Sequence, residues 1–139
     1  MHLLDVNLWL ALAFEVHVHH RRAAEWFQQA ARGSCTFCRF TQQGLLRLAT
    51  NPSVFGDDAL TMRQAWACYD QLSGDDRVVF ADEPDDIQET WRMLTHRRRY
   101  SHRVWSDAYL VAFARNAHID VATFDKGFKE YTGLRVTIL

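Results

Sequence analysis

The chain has 139 residues, 48% of them hydrophobic and 24% charged, with a formal net charge of −1. That length suits one domain spanning 1–139 with one sizeable core. The balanced charge excludes an overall basic field that would draw the protein to nucleic acid, so any such contact needs a local basic patch or metal ions. Three cysteines, Cys35, Cys38 and Cys68, exclude a disulfide framework and suit a reducing cytosol.

The N-terminal run MHLLDVNLWLALAF is apolar but lacks the charged leader and small-residue cleavage site of a signal peptide. Asp5 and Asn7 interrupt it and it is too short for a membrane span, so a cytoplasmic protein is expected. His2 to Val6 reads as a first strand ending on Asp5, and Asn7 to Phe14 as a short helix. A longer amphipathic helix is expected over about 19–32. Ala23, Trp26, Phe27 and Ala30 share one side of it, and Gly33 stops it. Ser34 to Phe40 has strand character, and Thr41 suits the cap of a helix from Gln42 to Thr50 that Asn51-Pro52 ends.

A further helix is expected over about 58–72, then a turn at 73–76 and a buried strand, RVVFA, over 77–81. Pro84 suits the first turn of a helix reaching Thr95. The segment HRRRYSHR reads as a loop before a helix from Val104 to Asn116. Ile119 to Phe124 is the next strand, Asp125-Lys126-Gly127 turns, and Arg135 to Leu139 is a last strand. Strands alternate with helices and no Asn-Gly hairpin signal appears. The expected fold is therefore α/β, a mainly parallel sheet of about five strands flanked by helices.

In such a sheet, sites form at the carboxyl ends of strands. Asp5 closes the first strand and Asp125 closes IDVATF, so both are placed to project into one crevice. Asp107 falls in the first turn of the Val104 helix, at the positive end of its dipole. Converging carboxylates repel unless a cation neutralises them, and hard oxygen ligands select Mg²⁺ or Mn²⁺. Each aspartate also has a purely structural reading: Asp5 as a helix cap, Asp107 as a dipole partner, Asp125 as a turn former.

Other features carry less. Cys35 and Cys38 form a CxxC in an apolar stretch without a second pair, and read as small buried residues rather than a redox pair or half a zinc site. His17, His19 and His20 do not share one helical face and read as capping or solvated residues, or as a wall of a cleft, rather than as a zinc site, which needs fixed geometry and a further ligand. The basic stretch Arg97, Arg98, Arg99, Tyr100, His102 and Arg103 precedes Asp107. It is either a solvated loop or a phosphate contact in which Tyr100 stacks on a base. Arg47 either faces the cleft or pairs with a surface acid. Asp82, Glu83, Asp85 and Asp86 read as a solvated helix start, and the five tryptophans as core or interface.

Three blocks carry a resemblance that covers nearly the whole chain. LLDVNLWLAL resembles the opening of PIN domains of the VapC toxin type. FCRFTQQGLLRLATNPSVFG, residues 37–56, resembles the second element of one VapC subgroup. SDAYLVAFARNAHIDVATFDKGF, residues 106–128, resembles the closing Asp-Ala helix and Thr-Phe-Asp turn. The resemblance implies a three-layer PIN-like fold. It also implies a Mg²⁺-dependent endoribonuclease, with Mn²⁺ as a substitute, serving as the toxin of a toxin–antitoxin pair. A small antitoxin, an RNA substrate and a homodimer follow from it. Asp5, Asp107 and Asp125 match the acidic positions, with Asp5 and Asp107 holding the metal and Asn7 supporting them. One departure stands out: the helix opening Thr41-Gln42-Gln43-Gly44 carries no carboxylate where PIN domains commonly have one. That loss should weaken metal affinity, and it motivates the alternative of a weakly active or inactive scaffold that binds RNA or a protein.

Overall fold

The computed structural model describes residues 1–96, 99 and 101–139. Five short strands form one sheet: β1 (His2–Leu4), β2 (Cys35–Phe37), β3 (Val78–Phe80), β4 (Asp120–Thr123) and β5 (Val136–Ile138). Their order is β3-β2-β1-β4-β5 and every pairing is parallel. Among the described residues seven helices flank it: α1 (Val6–Ala13), α2 (His20–Gln28), α3 (Arg39–Ala49), α4 (Pro52–Phe55), α5 (Met62–Ser73), α6 (Ile87–Thr95) and α7 (His102–Asn116). The α/β fold with a parallel five-stranded sheet is thus as the sequence implies.

Side-chain alternation along the strands splits the core into two layers. Leu4 and Ala122 point to one face, against Leu8, Trp9, Phe37 and Leu45 from α1, β2 and α3. Leu3 and Val121 point to the other, against Leu110, Val111 and Phe113 of α7. The central strands are buried on both faces, which is why Leu3-Leu4 and Val121-Ala122 are consecutive apolar pairs rather than apolar residues alternating with polar ones. The same split settles the CxxC: Cys35 packs in the first layer and Cys38 in the second, both buried, and burial pushes both thiols up.

Several helix limits differ from the sequence expectation, each for a local reason. α2 stops at Gln28, and Gly33 is the left-handed residue (φ 64°) that turns the chain into β2. α3 starts at Arg39 rather than Gln42. Cys38 is its cap, and Thr41 sits at the third position, where its hydroxyl accepts the Cys38 N–H at 3.0 Å. Phe40 is therefore helical, not part of a strand. Asn51-Pro52 does not merely end α3: the Asn51 carboxamide accepts the Ser53 N–H and nucleates α4. α5 starts at Met62, where Thr61 and Gln64 cap each other reciprocally. Pro84 lies outside α6, because the chain turns through left-handed Asp86 before Ile87.

Candidate active site

β1 and β4 are sheet neighbours, with Leu4 opposite Ala122. From β1 the sheet continues through β2 and β3 on one side, and from β4 through β5 on the other. The carboxyl ends of β1 and β4 therefore flank the point where strand order reverses, the position at which doubly wound sheets open a crevice.

Asp5 follows β1 directly. Its N–H donates to Ala122 O at 3.0 Å, which ties it to β4. Its Oδ1 accepts the Val6 N–H at 2.6 Å, capping α1. Its Oδ2 accepts the Thr123 hydroxyl at 2.9 Å. Only 9% of Asp5 is exposed, and burial pushes its carboxyl above the usual range. The Asp125 charge pushes the same way, while the bonds from Thr123 and Val6 oppose it.

Asp125 follows β4. Its N–H donates to the Thr123 hydroxyl at 3.0 Å, and its Oδ1 accepts the Gly127 N–H at 2.7 Å. Asp5 and Asp125 thus do cap a helix and form a turn, and the same bonds fix where their carboxylates stand. Thr123, fully buried, bridges the two. It had no place among the sequence candidates. It reads there as an ordinary β-branched strand residue, and only the Thr-Phe-Asp spacing hints at more.

Asp107 reaches the same cleft from α7. The helix starts at His102, so Asp107 lies in its second turn, not its first, and helix-dipole stabilisation is weaker there. Asp5, Asp107 and Asp125 together line a cavity of about 350 Å³. Asn7 lines it from α1, and Gln43 and Arg47 line it from α3. α3 approaches α1 through Gly44, where an added Cβ would lie 2.5 Å from Val6 Cγ2. Arg103, one turn before Asp107, completes the wall. Arg47 therefore faces the cleft. Neither it nor Arg103 makes an ion pair among the described residues.

The donor set fits a hard divalent cation. Asp5, Asp107 and Asp125 line the space together with Asn7 and Gln43, and a cation there would offset the burial that disfavours ionised Asp5. Among the described residues no three His, Cys, Asp or Glu side chains converge closely enough to enclose an ion by themselves. Mg²⁺ tolerates this, because it keeps several waters and takes only one or two carboxylates.

Of the basic stretch, Arg97, Arg98 and Tyr100 lie outside the described residues; Arg99 is exposed. The histidines form no metal cluster among the described residues. His19 stacks on Phe124 at 4.4 Å between ring centroids, and His20 Nδ1 bonds to Ala11 O at 2.8 Å. Among the described residues no helix is long and apolar enough to cross a membrane.

The family model for the PIN domain matches residues 2–134. The chain belongs to the PIN-domain family. Within it, the chain groups with the VapC ribonucleases. It is 44% identical to Ribonuclease VapC41 of Mycobacterium tuberculosis, over 100% of this chain and 99% of that one. It is 33% identical to Ribonuclease VapC38 of the same species, over 91% and 86%. The fold is shared with the crystal structure of the M. tuberculosis toxin VapC20, described as cleaving the sarcin-ricin loop. The TM-score is 0.70 at 17% identity, covering 96% of each chain. It is also shared with VapBC2 from Rickettsia felis bound to a promoter DNA fragment, at TM-score 0.70 and 11% identity, covering 99% and 98%.

Proposed function

We propose that this PIN domain is a metal-dependent endoribonuclease, the toxin of a toxin–antitoxin pair, and that Asp5, Asp107 and Asp125 carry its chemistry. The supporting observation is the convergence of three carboxylates, from the ends of β1 and β4 and from α7, on one cleft walled by Arg47 and Arg103.

Asp5 and Asp107 would hold the ion, with Mg²⁺ the proposed species and Mn²⁺ a working substitute. Such an ion would supply positive charge at the phosphate and the Lewis acidity that activates water at neutral pH. Asp125, held by its turn, accepts a hydrogen bond from the attacking water and aligns it on phosphorus. Asn7 supports the pair from α1. Arg47 and Arg103 bind backbone phosphates, and the stretch Arg97, Arg98, Arg99 and Tyr100 extends that contact along the strand. A small cognate antitoxin occludes the cleft, and the toxin acts as a homodimer.

The test is cleavage of a labelled RNA mixture by purified, antitoxin-free protein in Mg²⁺, Mn²⁺ or EDTA. Cutting in both metals and none in EDTA is expected. Folded protein that binds RNA but cuts with neither metal would replace the enzyme with a non-catalytic scaffold.

A further inference from the structure

A second groove opens beside the cleft. Phe40 at the start of α3 and Trp91 of α6 wall it together with Trp105 and Tyr109 of α7. Its volume is about 450 Å³. The aromatic rings brace one another: Trp91 meets Trp105 edge-on at 6.0 Å and Tyr109 at 5.7 Å, and Phe40 lies 5.2 Å from Tyr109. The Trp91 indole N–H donates to Trp105 O at 2.9 Å, pinning α6 to α7 at this point. Trp105 nonetheless remains 53% exposed.

The groove adjoins the cleft, since Phe40 and Ser106 line both. Its rim carries Arg39 and His102, and Arg103 stands on the cleft side of the same helix. Among the described residues that line the groove the one carboxylate, Glu83, is engaged by the Tyr109 hydroxyl at 2.5 Å. An aromatic floor with Arg39 at its edge and Arg103 nearby matches a single-stranded nucleic acid, whose bases stack on aromatic rings while its phosphates meet arginines.

We infer that this groove is a nucleobase subsite. It receives one unstacked base of the RNA strand next to the bond cut in the cleft, with Trp105 as the stacking surface. The inference rests on the nuclease reading for the identity of the strand, but its test does not require cleavage.

The probe is a fluorescein-labelled single-stranded RNA hexamer, compared with the same hexamers carrying one abasic position in turn, bound in EDTA by fluorescence anisotropy. One abasic position should weaken binding to the wild-type protein about tenfold. Trp105→Leu, which keeps an apolar side chain and a good helix former, should lose about the same factor on the intact hexamer. It should also bind intact and abasic RNA alike, whereas Trp105→Phe should recover most of the loss. Intact and abasic RNA binding the wild type equally, absence of RNA binding, or full affinity in Trp105→Leu would each overturn the subsite. The last outcome would leave the face to a protein partner. Metal-dependent cutting run alongside separates the two readings. Protein that discriminates abasic RNA without cutting keeps the subsite and refutes the nuclease, and protein that cuts without discriminating does the reverse.

Discussion

The Thr123 hydroxyl donates to Asp5 Oδ2 at 2.9 Å, joining two residues 118 positions apart. It accepts the Asp125 N–H at the same time, so one buried hydroxyl sets the relative positions of two cleft carboxylates. Replacing Thr123 by Val keeps the shape and removes the hydroxyl. Two polar groups then lose a partner, and stability should fall by about 1–3 kcal/mol. Cleavage should fall roughly 10–100-fold, as for other groups that orient ligands. Thr123→Ser should restore both. Denaturant melts and cleavage rates check this, and a Val variant with wild-type activity would contradict it.

The close approach of α1 and α3 rests on Gly44. Gly44→Ala places a methyl 2.5 Å from Val6 Cγ2, and overpacking of that kind costs about 1–3 kcal/mol. The displacement should also move Gln43 and Arg47 and reduce cleavage. Val6→Ala in the same chain should recover part of the stability, since contacting residues do not behave additively. Simple additivity of the two single substitutions in urea unfolding would refute the contact as the cause.

Much of this was legible in the sequence, and the reason is local. Asp5 and Asp125 stand where apolar strands stop, and strand ends are where open parallel sheets place their sites. The face taken by Arg47 was not decidable, because Leu45, Leu46 and Leu48 surround it in sequence and only the α1–α3 contact orients the helix. The turn holding Asp107 was misjudged because α7 begins at His102, inside a stretch read as loop. Thr123 was invisible because its role exists only in the register that sets Leu4 opposite Ala122.

Gln43 stands on the wall of the cleft that the three aspartates also line, and carries no charge. Gln43→Glu adds a fourth carboxylate to the same space. More ligand charge tightens divalent-ion sites, so Mn²⁺ affinity should rise roughly tenfold. Titration of free Mn²⁺ by electron paramagnetic resonance reads this directly. An unchanged affinity would show that the α3 wall does not reach the ion.

Far from the cleft, Asp75 accepts from Arg77 Nη2 at 2.6 Å and from Nε at 2.8 Å. The Arg77 guanidinium lies 4.0 Å from the Phe27 ring centroid and also donates to Phe27 O. These bonds from Arg77, more than any other cause, hold the Asp75 carboxyl at about 2, below its ordinary 3.8. A lowered folded value means stability that is present above pH 3.8 and lost as pH falls toward 2. The full difference is about 2 kcal/mol, and since both side chains are about a quarter exposed, ~1 kcal/mol is expected. Asp75→Asn should therefore melt below wild type at neutral pH, with the gap closing between pH 4 and pH 2. A gap that persists at pH 2 would assign the effect to packing instead.

The most direct measurement is the cleavage rate of one labelled RNA in Mg²⁺ by wild type and by Asp5→Asn, Asp107→Asn and Asp125→Asn, each verified as folded by circular dichroism. Three carboxylates acting on one ion and one water predict that every variant falls at least about 100-fold. Rates within a few-fold of wild type in any folded variant would remove that aspartate from the chemistry. Full activity in Asp5→Asn would place the reaction outside this cleft.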